Sequence, residues 1–227
     1  MLRKGWLIFL LVLFLQVSAY AIEDLHFKGF IADEVGVLSD DVKYNLNMTL
    51  WDLQKKAKAD IAVVVIQSLN GKSVEQAAIE IGREYKVGSR EKNNGIVFLT
   101  ALNEHKMRLE LGTGLEDKVL ISDLEKIRDK DILPYYRNYD YENGIARGTY
   151  KLADLVARAE NVTIDVQGTC PDKITGSSRS SERAPWWLYV IALIMAPFSR
   201  RRRSSFGSFG GFGGGGGFGG SGCSGSW

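Results

Sequence analysis

The chain has 227 residues, with 29 Lys and Arg against 27 Asp and Glu, 45% hydrophobic residues and 25 glycines. The near-neutral total hides a split: residues 22–184 contain all 27 acids but only 23 bases (23 minus 27, or −4), while Arg3, Lys4 and Arg200 to Arg203 carry the rest. Such a distribution excludes the basic folded face of a nucleic-acid binder, and Cys170 and Cys223 are too few for a disulfide-built fold.

Arg3 and Lys4 precede an apolar run from Trp6 to Val17, and Ala19-Tyr20-Ala21 supplies a cleavage site. This is the layout of a secretory signal peptide over residues 1–21. Residues 22–160 are long enough for one domain with its own core. Ser39-Asp40-Asp41 opens a helical pattern with Val42, Leu46, Leu50, Leu53 and Ala57 on one face. The β-branched run Ile61 to Ile66 predicts a strand covered on both sides. Ser73-Val74-Glu75-Gln76 is a capping box, so a second helix starts there and runs to about Tyr85.

Gly95 introduces a second buried strand, Ile96 to Ala101. Lys106-Met107-Arg108-Leu109-Glu110-Leu111 alternates strictly, which predicts a strand with one wet face, and the four-residue link makes the two a hairpin. A second capping box, Ser122 to Glu125, starts a third helix that Pro134 bounds. A last helix covers roughly Tyr141 to Glu160, with Gly144 and Gly148 weakening its first turns. Strand–helix–strand with buried strands implies a parallel pair. The expected fold is therefore a three-layer α/β domain with a mixed sheet, parallel at its core plus a hairpin, and about four helices.

Residues 161–184 read as a polar linker. The run 185–198 is apolar and meets Arg200 to Arg203, which predicts a short transmembrane segment with its basic end in the cytoplasm. Its 14 residues reach only about 21 Å against a core of about 30 Å, so a re-entrant or interfacial segment is the alternative. A span would place the domain outside the cell membrane and the tail, 199–227, in the cytoplasm. An interfacial segment would leave the tail outside. Gly, Ser and Phe dominate that tail, which predicts disorder, with Trp227 at the lipid interface.

Familiar catalytic sets are absent. His26 and His105 have no partner at metal-ligand spacing, there is no G-x-S-x-G elbow or P-loop, and Gly112-Thr113-Gly114 reads as a turn. Acids are the remaining chemical material: Asp33, Glu110, Glu116, Asp117, Asp123 and Asp140. The hairpin sets Gly112 to Asp117 beside Asn93 to Gly95. Asn93 and Asn94 can then add oxygens to Glu116 and Asp117 around a hard cation, Ca²⁺ or Mg²⁺. Bland readings stand beside this one. Asp123 suits a first helical turn on dipole grounds alone, Glu110 suits a pair with Arg108 or Lys106, and Asp33 suits a local cap.

Four segments carry a resemblance. Phe30-Ile31-Ala32-Asp33-Glu34-Val35-Gly36-Val37-Leu38-Ser39, Asn93-Asn94-Gly95-Ile96, Arg108-Leu109-Glu110-Leu111-Gly112-Thr113-Gly114-Leu115-Glu116 and Pro134 to Gly144 come in the order found in the TPM domain family. With the leader, the apolar run and the Gly-rich tail, the chain over about 29–158 resembles that family. One departure is Ala32, where the family has Asn before the motif Asp. The resemblance implies an extracytoplasmic α/β domain and adds Asp33 and Asp123 to the metal set Asn94, Glu116 and Asp117. It implies two roles. One is a non-enzymatic module, anchored at the lipid bilayer, that assists membrane protein complexes. The other is a divalent-metal-dependent acid phosphatase.

Overall fold

The computed structural model describes residues 24–165 and 211–227. The leader (1–21), the apolar run (185–198), the arginines and Cys170 lie outside the described residues, as does most of the linker. Among the described residues no helix is long and apolar enough to cross a membrane.

The domain opens with β1 (Ile31–Asp33), α1 (Asp40–Ala57), β2 (Asp60–Ile66) and α2 (Val74–Glu84). The hairpin β3 (Gly95–Ala101) and β4 (Lys106–Gly112) follows. A continuous helical run then passes from α3 (Ile121–Ile127) through a π turn (Arg128–Ile132) into α4 (Leu133–Tyr136), and α5 is Tyr141–Ala159. A last strand, β5 (Phe218–Ser226), comes from the Gly-rich tail. The sheet order is β1-β2-β3-β4-β5. β1, β2 and β3 are parallel, and β4 and β5 are each antiparallel to their predecessor. The expected mixed α/β sheet is present, and the unbroken run from α3 to α4 leaves four helical stretches.

Alternation along the buried strands splits two cores. Ile61, Val63, Val65, Ile96, Phe98, Met107, Leu109 and Leu111 face the layer of α1, α5 and the α3–α4 run. Ala62, Val64, Ile66, Val97, Leu99 and Ala101 face α2. The two glycines of α5 are there for close approach. A Cβ on Gly148 would lie 2.6 Å from Ile132 Cγ1, and one on Gly144 2.8 Å from the Tyr136 ring. The cost in helix propensity is offset by packing the α3–α4 run tightly against α5.

Several local expectations hold and several change. The Ser73 side chain accepts from the Gln76 amide at 3.1 Å, as its capping box requires. Ser122 caps nothing: α3 begins two residues earlier than a Ser122 cap would set it, with Leu120 at the N-cap and no side-chain bond. Pro134 does not end the helix: it comes just after the π turn inside the continuous run, where the i→i−4 ladder is already interrupted. β4 has no wet face. Arg108 is 6% exposed and Glu110 0%, because α2 and β5 cover them.

The tail corrects the expectation of disorder over residues 211–227. Glycine loses much backbone entropy on ordering, yet this strand is not alone. It pairs with β4 from Lys106↔Ser226 to Gly112↔Phe218 and inserts Phe218 and Cys223 into the two cores. Trp227 packs on the domain, correcting its expected place at the lipid interface. Its ring centroid lies 4.5 Å from Tyr136 and 5.8 Å from Tyr141, and its Nε1 donates to the Tyr141 hydroxyl at 3.3 Å. A tail hydrogen-bonded to its own domain lies on the domain's side of any membrane.

Candidate functional site

The expected metal ligands do not converge. Asp33 ends β1 beside Val65, whereas Gly95, the neighbour of Asn94, pairs with Asp60 at the other end of β2. Five residues of strand between those positions amount to about 16 Å. Oxygens around one Ca²⁺ must lie within about 5 Å of one another, at 2.3–2.6 Å from the ion. Asp33 and the Glu116–Asp117 pair therefore cannot share a cation. Among the described residues no group of three or more His, Cys, Asp or Glu is arranged to hold a metal ion.

Each acid has a local task or none. Asp33 Oδ1 accepts from the amides of Gly36 and Val37 at 2.8 and 3.2 Å, and Oδ2 accepts from Leu38 at 3.0 Å. Lys43 Nζ stands 2.8 Å from the same Oδ2. Burial alone would raise the pKa of Asp33, but Lys43 and the amides of Leu38 and Val37 outweigh it and hold the carboxyl below its ordinary value. This is the local cap, and the Lys43 ammonium occupies the position a cation would need. Asp123 pairs with Lys126 at 2.8 Å. Asp140 caps α5, accepting from the Asn143 amide at 3.5 Å. Glu116 and Asp117 are exposed. His26 meets Glu34 at 3.4 Å.

The predicted meeting of the hairpin ends does occur. Gly114 donates to the Asn93 carbonyl at 3.1 Å. The tail fills that edge. The Gly217 amide donates to Asn93 Oδ1 at 3.2 Å, and Thr113 donates to the Gly217 carbonyl at 2.8 Å. Asn94 points inward and is fully buried, with Oδ1 accepting from the Ser89 amide at 3.2 Å.

What the fold assembles instead is a receptor for the tail, running the length of β4. At its first end Asp60, buried at the start of β2, accepts from Gln54 Nε2 (2.8 Å) and from the amides of Gly88 (3.0 Å) and Gly213 (2.6 Å). Burial still pushes its pKa above the ordinary value, against those three donors. Phe212 packs edge-on against Phe27 and Phe30 at 4.9 and 5.9 Å.

Midway, Arg108 grips Glu110 Oε2 through Nε and Nη2 at 2.9 and 2.6 Å. The guanidinium also donates to the Gly220 carbonyl at 2.9 Å and to Ser224 Oγ at 3.2 Å. Ser224 Oγ donates to Glu75 Oε1 at 2.5 Å. Arg83 Nη2 takes the Phe218 carbonyl at 2.6 Å, and Arg128 Nη1 the Ser224 carbonyl at 2.9 Å. Burial raises the pKa of Glu110, with Arg108 opposing. Three guanidinium groups thus hold main-chain carbonyls of a strand that has few side chains of its own. At the far end Trp227 meets Tyr136, Tyr141 and His105, whose ring lies 5.6 Å away.

Arg83, Arg128, Glu75 and the two tyrosines were not among the expected site residues. Their partners, the Phe218 and Ser224 carbonyls, the Ser224 hydroxyl and the Trp227 ring, lie in a Gly- and Ser-rich tract that leaves no periodic mark in a sequence. A terminal aromatic after a glycine tract was the one visible signal.

A comparison with curated proteins finds no match. Among solved structures, the N-terminal domain of a P. gingivalis protein is similar at 23% identity and a TM-score of 0.52, covering 59% of this chain and 85% of that one. A protein of the psychrophilic bacterium Bizionia argentinensis matches at 17% identity, 54% and 83% coverage and a TM-score of 0.47. The N-terminal domain of a Corynebacterium glutamicum protein matches at 16% identity, 63% and 85% coverage and a TM-score of 0.44. The first likeness speaks to fold alone. The TPM domain model matches residues 31–155, more than half of the chain. With its mixed sheet and helical layers in place over that same span, the chain belongs to the TPM domain family.

Proposed function

We propose that the domain is a non-enzymatic binding module, held at the extracytoplasmic membrane surface, that assists membrane protein complexes. The observation that carries this reading is the dispersal of the carboxylates. Asp33, Glu110, Asp123 and Asp140 are each committed to a neighbour, and no three acids meet among the described residues. Leu120 and Ile121, by contrast, stand exposed at the start of α3 close in sequence to Glu116 and Asp117, and Tyr139 is exposed before α5. An exposed apolar pair rimmed by charge suits protein contact better than hydrolysis. The apolar run and arginines of 185–203 then serve as a membrane address, and the docked tail keeps to the domain's side of it. The dispersal of the residues expected to hold Ca²⁺ or Mg²⁺, among the described residues, supports the binding reading over the phosphatase one.

The test has two arms on the full-length protein. Calcium titration by calorimetry and hydrolysis of an aryl phosphate are compared for the protein and for its Asp33→Asn/Asp123→Asn variant. The reading predicts equal heats and a rate that EDTA leaves unchanged. Calcium heat or turnover that disappears in the variant would sink it. In the second arm, Leu120→Asp/Ile121→Asp should reduce crosslinking to membrane proteins in cells without lowering the melting temperature. Undiminished crosslinking would remove the apolar pair from the account.

A further inference from the structure

Among the described residues, the contacts that seat the tail join receptor atoms in residues 24–165 to atoms in residues 211–227. Main-chain pairing runs along β4 with one irregularity between Glu110 and Gly112. Arg83, Arg108 and Arg128 hold the carbonyls of Phe218, Gly220 and Ser224. Trp227 rests on Tyr136, Tyr141 and His105. None of these interactions involves the connecting residues, 166–210. That connection is 45 residues (166 to 210 inclusive), and a chain of that length can extend to about 150 Å. The covalent link therefore does not dictate which molecule supplies the strand.

The edge is also selective. A Cβ at position 222 would stand 2.1 Å from the Leu109 carbonyl oxygen. On the facing helix, a Cβ at Gly82 would stand 2.5 Å from the Phe218 ring. An arbitrary strand with side chains in this register does not fit, although an open strand edge ordinarily accepts many. The sequence Phe218 to Trp227 does fit, and a second copy of this chain carries the same sequence.

We propose that the β4 edge is an interface between copies of this chain, in which the C-terminal tail of one copy becomes the fifth strand of another. Contacts made by an exchanged tail equal those made by the chain's own, so concentration decides between them. A tail on its own linker acts at no more than about millimolar effective concentration. The closed product is a pair that trades tails reciprocally. This inference does not rest on the binding partner proposed above.

The test uses full-length chains in a Cys170→Ser/Cys223→Ala background. One chain carries Lys106→Cys and the other Ser226→Cys, positions that face each other across β4 and β5. Opposed Cβ atoms at about 4.5–5.5 Å approach disulfide geometry. The two chains are refolded together over a concentration series and oxidised. A single chain carrying both cysteines serves as the folding control. The expected result is a mixed disulfide dimer whose yield rises with concentration, and whose yield falls at least tenfold when the Ser226→Cys chain also carries Gly222→Val. Absence of the mixed dimer at all concentrations overturns the proposal, whether or not the control chain closes on itself. A mixed dimer indifferent to Gly222→Val overturns it as well, since random collision then explains the bond.

Discussion

Between Ile61 and Ile66 the sheet is built of aliphatic side chains buried on both faces, whereas between Phe218 and Ser226 it is built of glycine and serine. The first region is held by area removed from water, at about 25 cal/mol per Å² of apolar surface. The second buries little apolar surface beyond Phe218, Cys223 and the partly buried Trp227. It is held by ladder bonds and by arginines aimed at its carbonyls, each bond worth about 1 kcal/mol net. The contrast teaches where each region is vulnerable: the parallel half to cavities, the β4–β5 half to a lost partner or an added atom.

The largest effect should come from the parallel half. Phe98 is fully buried on β3 beneath α5. Phe98→Ala should cost about 4 kcal/mol in denaturant unfolding with an unchanged m-value. A cost under about 1 kcal/mol would mean that the core is not the main support of this half.

Arg108 comes next. Arg108→Met leaves Glu110 buried without its partner and should cost about 3 kcal/mol, while Arg108→Met/Glu110→Leu should recover most of that. The same double variant should lose protection of the tail, since the guanidinium that holds Gly220 is gone. Equal costs for single and double variants would show that the pair is not the issue.

The smallest effect separates the halves by pH. Asp33 is held below its ordinary value, so its contribution is full above pH 3.8, the unfolded value, and is lost as pH falls through the lower folded value. Asp33→Asn should remove that acid-limb slope from the melting curve. Glu110 has the opposite sign. Its folded pKa is raised, so its contribution is full below pH 4.5 and is lost as pH rises through the folded value. Tail protection should therefore weaken slightly on that rise, and Glu110→Gln should flatten the trend. A trend that strengthens with pH would contradict the assignment.

Legibility in the sequence divides along the same line. α1, β2, α2, β3, the hairpin and α5 followed from side-chain period, because burial by neighbours is what period records. β1, at three residues, is too short to show one. The alternation of Met107, Leu109 and Leu111 with Arg108 and Glu110 gave the register of β4 correctly and its environment wrongly. The polar face is covered by α2, and its edge by a strand whose Gly220 lies 112 residues further along the chain than Arg108. β5 was invisible because glycine carries no face. The candidate site residues stay apart for a topological reason. The hairpin returns Glu116 to the end of the sheet opposite Asp33, a fact that follows only once β1 is known to pair parallel with β2.

The C-terminal glycine tract is the fifth strand of the domain. Amide hydrogen exchange on the full-length protein tests it most directly. The account predicts alternate amides of residues 218–226 protected together with those of β4, and protection of the Gly213 amide at Asp60. Exchange of every amide from 211 to 227 at the rate of an unstructured chain would contradict it.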